Sequence, residues 1–112
     1  MVMKESVPVR GGVYMMNFDP TKGHEQGGFR PAVVISGTSY NQKVGLALIC
    51  AITSARKGYP FEVEVEMNGI AGVVLVDQIR SVDWRARRLR HVGNLPEATF
   101  AEIQMKLLSM IR

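Results

Sequence analysis

Apolar residues occur first in short runs broken by glycine, proline and polar turns, and then, near the C-terminus, at helical spacing. Residues 13–18 read as a first strand, with Gly11-Gly12 turning the chain before it and Asp19-Pro20 ending it. Residues 21–30 form a loop in this reading, rich in glycine and carrying His24, Glu25, Gln26 and Arg30. Residues 31–36 are apolar and begin with Pro31, which at the first position of a strand forfeits no ladder bond. Residues 38–43 read as a polar connection. The run Leu46-Ala47-Leu48-Ile49-Cys50-Ala51-Ile52 does not alternate, which predicts a strand buried on both faces, with Thr53-Ser54 at its end. Residues 56–60 are then a basic loop.

Residues 61–66 alternate strictly, so they predict a half-buried strand with Glu62, Glu64 and Glu66 on a solvated face rather than in a site. Asn68-Gly69 turns the chain, residues 72–76 return it, and residues 78–82 continue the sheet or add an edge. About five or six short strands joined by tight turns predict a mainly β fold, a small barrel. Phe100, Ile103, Leu107, Leu108 and Ile111 then mark one face of a helix. Pro96 suits its first turn, and Glu97 near the start with Lys106 and Arg112 toward the end agree with the helix dipole. The helix is expected to cover an open side of the barrel. Its polar face is too weakly basic for a helix lying on a membrane.

A chain of 112 residues with 46% apolar composition is the size of one compact domain, taken here as residues 1–112. No internal repeat or low-complexity tract divides it. Residues 1–10 carry Lys4, Glu5 and Arg10 and no apolar stretch fit for a signal peptide or a membrane span, so a soluble, cytoplasmic protein is expected. Cys50 is the only cysteine and sits in an apolar run, where a thiol packs as a small hydrophobe. His24 and His91 lack neighbours at ligand spacing, so no metal site and no cofactor is expected. The formal charge of +4 favours anionic partners, although charge alone is a weak guide.

The stretch from Phe18 to Val34, with Gly23-His24-Glu25-Gln26-Gly27-Gly28-Phe29-Arg30-Pro31 at its centre, resembles the signature loop of MazF/PemK toxins. Lys57-Gly58-Tyr59-Pro60-Phe61-Glu62-Val63, Asp77-Gln78 and Trp84-Arg85-Ala86-Arg87 are similar to the MazF branch in order and spacing. The resemblance runs from about Val9 to the end of the chain. It implies an SH3-like barrel of the CcdB/PemK type with a C-terminal α-helix, a homodimer, and metal-independent, sequence-dependent cleavage of single-stranded RNA. It also implies a cognate acidic antitoxin of the MazE/PemI kind, whose extended segment occupies the RNA groove.

By motif position the family's catalytic pair falls on Arg30 and Thr53, and its acidic residue, proposed as a base in some members, on Glu25. Lys22, Gln26, Ser54, Arg56, Lys57, Tyr59 and Arg87 are the expected RNA-binding residues. Some relatives carry histidine just before the signature arginine. Phe29 stands there in this chain, so no histidine role carries over, and His24 is a loop variant.

Cutting RNA without metal requires the ribose 2′-hydroxyl to lose its proton, attack the adjacent phosphorus in line and expel the 5′-oxygen. Glu25 suits proton removal, the planar fork of Arg30 suits two phosphoryl oxygens, and the Thr53 hydroxyl suits one further hydrogen bond. Plainer readings stand beside these. Arg30 before Pro31 fits a solvated strand entry, Glu25 a surface ion pair, and Thr53-Ser54 an ordinary strand-end turn. Arg85, Arg87, Arg88 and Arg90 fit either phosphate contacts or a solvated run, with Trp84 in the core or in a dimer interface. Tyr40 and Tyr59 fit base stacking or packing equally. Two other functions compete: gyrase inhibition by binding, as in CcdB-type relatives that lack the Glu-Gln-x-Gly-x-Arg-Pro loop, and a non-catalytic SH3-like module that binds peptides.

Overall fold

A computed structural model describes residues 6–19, 23 and 27–112. The first strand, β1 (Gly12–Asn17), alternates its side chains between two cores: Val13 packs into one, Tyr14 and Met16 into the other. It pairs antiparallel with β2 (Phe29–Val34), from Val13 opposite Val33 to Asn17 opposite Phe29. The pairing draws Phe29 and Arg30 into the sheet, so β2 starts ahead of the apolar run that announces it. Arg30 is therefore a strand residue, not a loop residue.

β3 (Leu46–Thr53) is the central strand, and its lack of alternation has the expected cause. Cys50 and Ile52 enter one core while Ala47, Ile49 and Ala51 enter the other. β4 (Glu62–Met67) and β5 (Ile70–Leu75) form a hairpin whose turn residues Asn68 and Gly69 have φ of 46° and 80°. Positive φ at both central positions is the geometry for which Asn-Gly is suited. β6 (Arg80–Asp83) pairs with β3, and β7 (Arg90–Asn94) pairs with the free side of β1. The seven-stranded sheet runs β4-β5-β3-β2-β1-β7, with β6 as a branch on β3. All its pairings are antiparallel, and the sheet curls into a half-barrel.

The two ends of the curled sheet meet where the Asn68 side-chain amide donates to the Val92 carbonyl, 2.8 Å away. Gly93 holds φ at +155°, a conformation that suits glycine, and the side-chain ends of Met67 and Asn68 pack where a Cβ would stand.

Two elements depart from expectation. Residues 38–43, read as a connection, belong to a short helix, α1 (Thr38–Val44). Its anchor is Asn41, fully buried, whose amide donates to the carbonyls of Pro8 (2.8 Å) and Ser36 (3.2 Å). The indole N–H of Trp84 donates to the Asn41 carbonyl at 2.9 Å, which places Trp84 in the core of its own chain. Tyr40 accordingly lies on a helix, not in a loop. β7 was not expected at all, because Arg90-His91-Val92-Gly93-Asn94 has almost no apolar content; backbone pairing to β1 makes it a strand.

The C-terminal helix, α2 (Glu97–Ile111), covers one open side of the half-barrel as expected. Ile103 is fully buried, and Phe100, Leu107 and Met110 pack around it against the core of Val13, Val33 and Val63. Leu108 and Ile111 point outward, 53% and 77% exposed, because Met110 takes the inner place at the last turn. Pro96 is the residue before the helix and not part of its first turn. No helix among the described residues is long and apolar enough to cross a membrane.

Candidate active site

Arg30 and Thr53 come together through strand register. Ala32 faces Ala51, Val33 faces Cys50 and Val34 faces Ile49; continued two residues, the same register sets Arg30 opposite Thr53. Alternation also puts both on the sheet face of Ala32 and Ala51. Directly opposed residues hold their Cβ atoms about 4.5–5.5 Å apart. Both line an open cavity of about 370 Å³, with Phe29, Ser54 and Ile70 at its walls.

The half-buried guanidinium of Arg30 is fixed by one hydrogen bond, Nε donating to the Gly27 carbonyl at 2.8 Å. Its terminal nitrogens have no acceptor among the described residues, and their planar fork is the geometry that pairs with an anion. Thr53 is 6% exposed, and its Oγ1 accepts from the Ala55 N–H at 3.2 Å. That is the strand-end turn foreseen as the plainer reading. It coexists with a chemical role, since the hydroxyl proton is still available to donate. Behind Thr53, β5 comes so close that a Cβ on Gly72 would strike the Thr53 carbonyl oxygen and lie 2.9 Å from its carbon. Glycine at 72 thus sets where Thr53 sits, a role that no feature of the sequence signals.

Beyond Ser54 the chain enters residues 55–61, where carboxylates hold a basic loop. The Arg56 guanidinium donates through Nε and Nη2 to the two oxygens of Glu64, at 2.8 and 3.0 Å. The hydrogen bonds and charge of this pair raise the Arg56 pKa and lower that of Glu64. Glu62 accepts the backbone N–H groups of Lys57 and Gly58, both at 2.9 Å. The Tyr59 hydroxyl donates to Asp77 at 2.8 Å, and burial together with that hydrogen bond pushes the phenol up to about 12. The glutamate face is solvated as expected, but Glu62 and Glu64 also shape the loop.

Among the expected RNA-binding residues, Ser54 lines the groove itself and Arg56, Lys57 and Tyr59 follow it on the adjoining loop. Arg87 lies past the end of β1, where Nη1 donates to the carbonyls of Asn17 (2.8 Å) and Asp19 (3.0 Å). Glu25, Lys22, Gln26 and His24 lie outside the described residues. Phe29, 66% exposed at the mouth of the groove, and the Ile70-Ala71 edge were not foreseen as site residues. Cys50 is fully buried, and burial, with the Asp77 charge behind it, pushes its thiol up to about 12. It is a packing residue. Among the described residues no group of three His, Cys, Asp or Glu side chains is placed to hold a metal ion.

The profile of the family described as "PemK-like, MazF-like toxin of type II toxin-antitoxin system" matches residues 9–111. The chain is 43% identical over 105 residues to the endoribonuclease toxin MazF of Escherichia coli (strain K12), covering 94% of this chain and 95% of that one. Its fold is similar to the crystal structure of MazF (Form-I) from Deinococcus radiodurans, with a TM-score of 0.90, 46% identity, and coverage of 96% of this chain and 98% of that one. The MazE-MazF complex (Form-II) of the same organism gives a TM-score of 0.83 at 46% identity, covering 96% of this chain and 97% of that one.

Proposed function

The chain belongs to the PemK-like, MazF-like toxin family of type II toxin–antitoxin systems, and we propose that it cuts single-stranded RNA in the groove between Arg30 and Thr53. It is the endoribonuclease toxin of its module, and the gyrase-binding and peptide-binding alternatives are set aside. The observation that carries the choice of site is the register that opposes Arg30 to Thr53 on one open groove, with the outer guanidinium nitrogens directed to no acceptor among the described residues.

The substrate's own 2′-hydroxyl is the nucleophile. It loses its proton to a base, its oxygen bonds to phosphorus, and the P–O5′ bond breaks as the 5′-oxygen takes up a proton from solvent water. The products are a 2′,3′-cyclic phosphate and a 5′-hydroxyl. Arg30 holds two phosphoryl oxygens through its terminal N–H groups, and the Thr53 hydroxyl donates to a phosphoryl oxygen as negative charge builds there. A guanidinium stays protonated in proteins and is a poor proton donor at neutral pH, so it serves as a fixed positive charge and not as the general acid. Glu25 is the base by its motif position. No metal takes part in this scheme.

In this reading residues 1–112 are one toxin domain that works as a homodimer in the cytoplasm on messenger RNA, and cleavage arrests translation. An acidic antitoxin holds it in check; the Deinococcus MazE-MazF complexes are structures of such a pair, and the charge of +4 here suits an acidic segment. The test is incubation with long single-stranded RNA in EDTA, followed by mapping of the ends. Discrete cuts bearing 5′-hydroxyl termini are expected, and Arg30→Ala should lose about 10²–10³ in rate with its fold intact. Wild-type cutting by that variant, or 5′-phosphate termini, would contradict the scheme.

A further inference from the structure

A second cavity, of about 380 Å³, opens where the chain between β6 and β7 folds back over β1, lined by Ser6, Tyr14, Trp84, Arg88, Arg90 and His91 together with Leu89. Its inner wall is aromatic. Tyr14 and Trp84 are 5% and 3% exposed, and the Tyr14 ring stacks on the imidazole of His91 with centroids 4.6 Å apart and planes 23° apart. Its rim is cationic. Among the described residues Arg88 and Arg90 have no hydrogen-bond acceptor and no carboxylate lines the cavity, and Arg85 lies 4.8 Å over the Trp84 ring. Arg88 also holds φ at +51°, a left-handed conformation that strains an arginine and would not strain a glycine.

The cavity shares one lining residue with its neighbour. Arg88 lines it and also lines the neighbouring cavity of Asn17, Asp19 and Arg87. Asn17 in turn pairs with Phe29, which stands at the mouth of the Arg30–Thr53 groove. Arg87 and Arg88 thus line the cavity beside this pocket, and Arg30 lies on β2, the strand paired with β1.

We propose that the Tyr14–Trp84–His91 pocket is a subsite for one nucleotide of the RNA strand lying outside the scissile bond. The base rests on the exposed ring of His91, which stacks on Tyr14 behind it, and its phosphate lies between Arg88 and Arg90. A cationic rim alone would accept any anion and an aromatic wall alone any apolar side chain; the two together select a flat base joined to a phosphate. A cavity of this size falls in the range of small-ligand sites, about 300–1,000 Å³. The inference rests on the reading of Arg30 and Thr53 as the cleavage centre.

Trp84 is the only tryptophan, so its fluorescence reports on this pocket directly. The probe is a mixed-sequence all-2′-deoxy oligonucleotide, which cannot be cut because it lacks the 2′-hydroxyl. Binding should quench Trp84, and Arg88→Gly or Arg90→Gln should weaken it about tenfold, the loss typical of one charged hydrogen bond. Each variant should also flatten the dependence of log Kd on log salt by about 0.7, the value for one phosphate contact on a single strand.

On an RNA with a mapped cut, the same variants should raise KM and leave kcat as it was, and the rise should vanish when the substrate is trimmed to its shortest cleavable length. Arg88→Gly relieves the left-handed backbone, so its melting temperature should not fall and a loss cannot be ascribed to unfolding. An unchanged KM on long RNA, or the same rise on trimmed RNA, would overturn the subsite. Quenching by a nucleoside monophosphate as tight as by the oligonucleotide would make it a free-nucleotide site, and tighter quenching by polyglutamate would assign it to an acidic protein segment; either result overturns the proposal. Wild-type protein that quenches with the oligonucleotide yet never cuts RNA would instead indict the cleavage reading.

Discussion

Gly72→Ala moves Thr53 without touching it chemically. The added methyl meets the Thr53 carbonyl oxygen and carbon and comes within 3.3 Å of the Ser54 nitrogen, all backbone atoms of a central strand with no rotamer to yield. Gly72 is itself held by β4, where it faces Val65, so β5 cannot simply retreat. Overpacking of this kind costs about 1–3 kcal/mol. In a domain of this size each kcal/mol lowers Tm by roughly 4–8 °C, which differential scanning fluorimetry reads directly. Relief of the clash pushes the end of β3 outward, and with it the hydroxyl opposite Arg30. A misplacement of about 1 Å at a catalytic group costs on the order of 10² in rate. The assay is single-turnover cleavage of a defined RNA by Gly72→Ala beside Thr53→Ser, which keeps the hydroxyl where it is. The expected result is a destabilised, slow Gly72→Ala and a Thr53→Ser that retains most of its rate. A Gly72→Ala protein with wild-type melting and wild-type turnover would refute the claim that β5 sets the position of Thr53.

Three further outcomes follow from the same contacts. Glu62→Ala frees the N–H groups of Lys57 and Gly58, and hydrogen exchange at these amides should accelerate, while exchange within β3 stays slow. Asn41→Ala leaves the carbonyls of Pro8 and Ser36 without their buried donor and should cost about 1–3 kcal/mol for each group stranded, measured by urea unfolding. The Tyr59 phenol has a folded pKa near 12 against an ordinary value of 10, so the stability it contributes is intact below pH 10 and declines as pH rises from 10 toward 12. Tyr59→Phe should flatten that alkaline decline in Tm; an identical decline in the variant would show that another group titrates.

Legibility in the sequence followed the range of the interaction. The unbroken apolar run of β3, the strict alternation of β4 and the helical spacing of α2 are local patterns imposed by burial, and each marks its element. β7 has no such pattern. It exists because β1 offers an unpaired edge, and a strand recruited through its backbone needs little from its side chains. α1 escaped for a related reason: a single buried amide on Asn41, joined to residues far along the chain, organises an otherwise polar segment. In the site, Arg30 and Thr53 were identified by resemblance, and their types suit phosphate chemistry. That they face each other is a matter of register between β2 and β3, which no window of sequence contains. Gly72 and the Trp84 pocket depend in the same way on contacts between distant strands.

The central claim is that Arg30 and Thr53 act on one phosphate. A double-mutant cycle of Arg30→Ala, Thr53→Ala and the double variant, read as single-turnover rate on one RNA in EDTA, tests it most directly. Residues that stabilise the same developing charge are strongly non-additive, so the double variant should be little slower than Arg30→Ala alone. Losses that multiply in full would mean the two residues act independently, and the account of a shared site would fail.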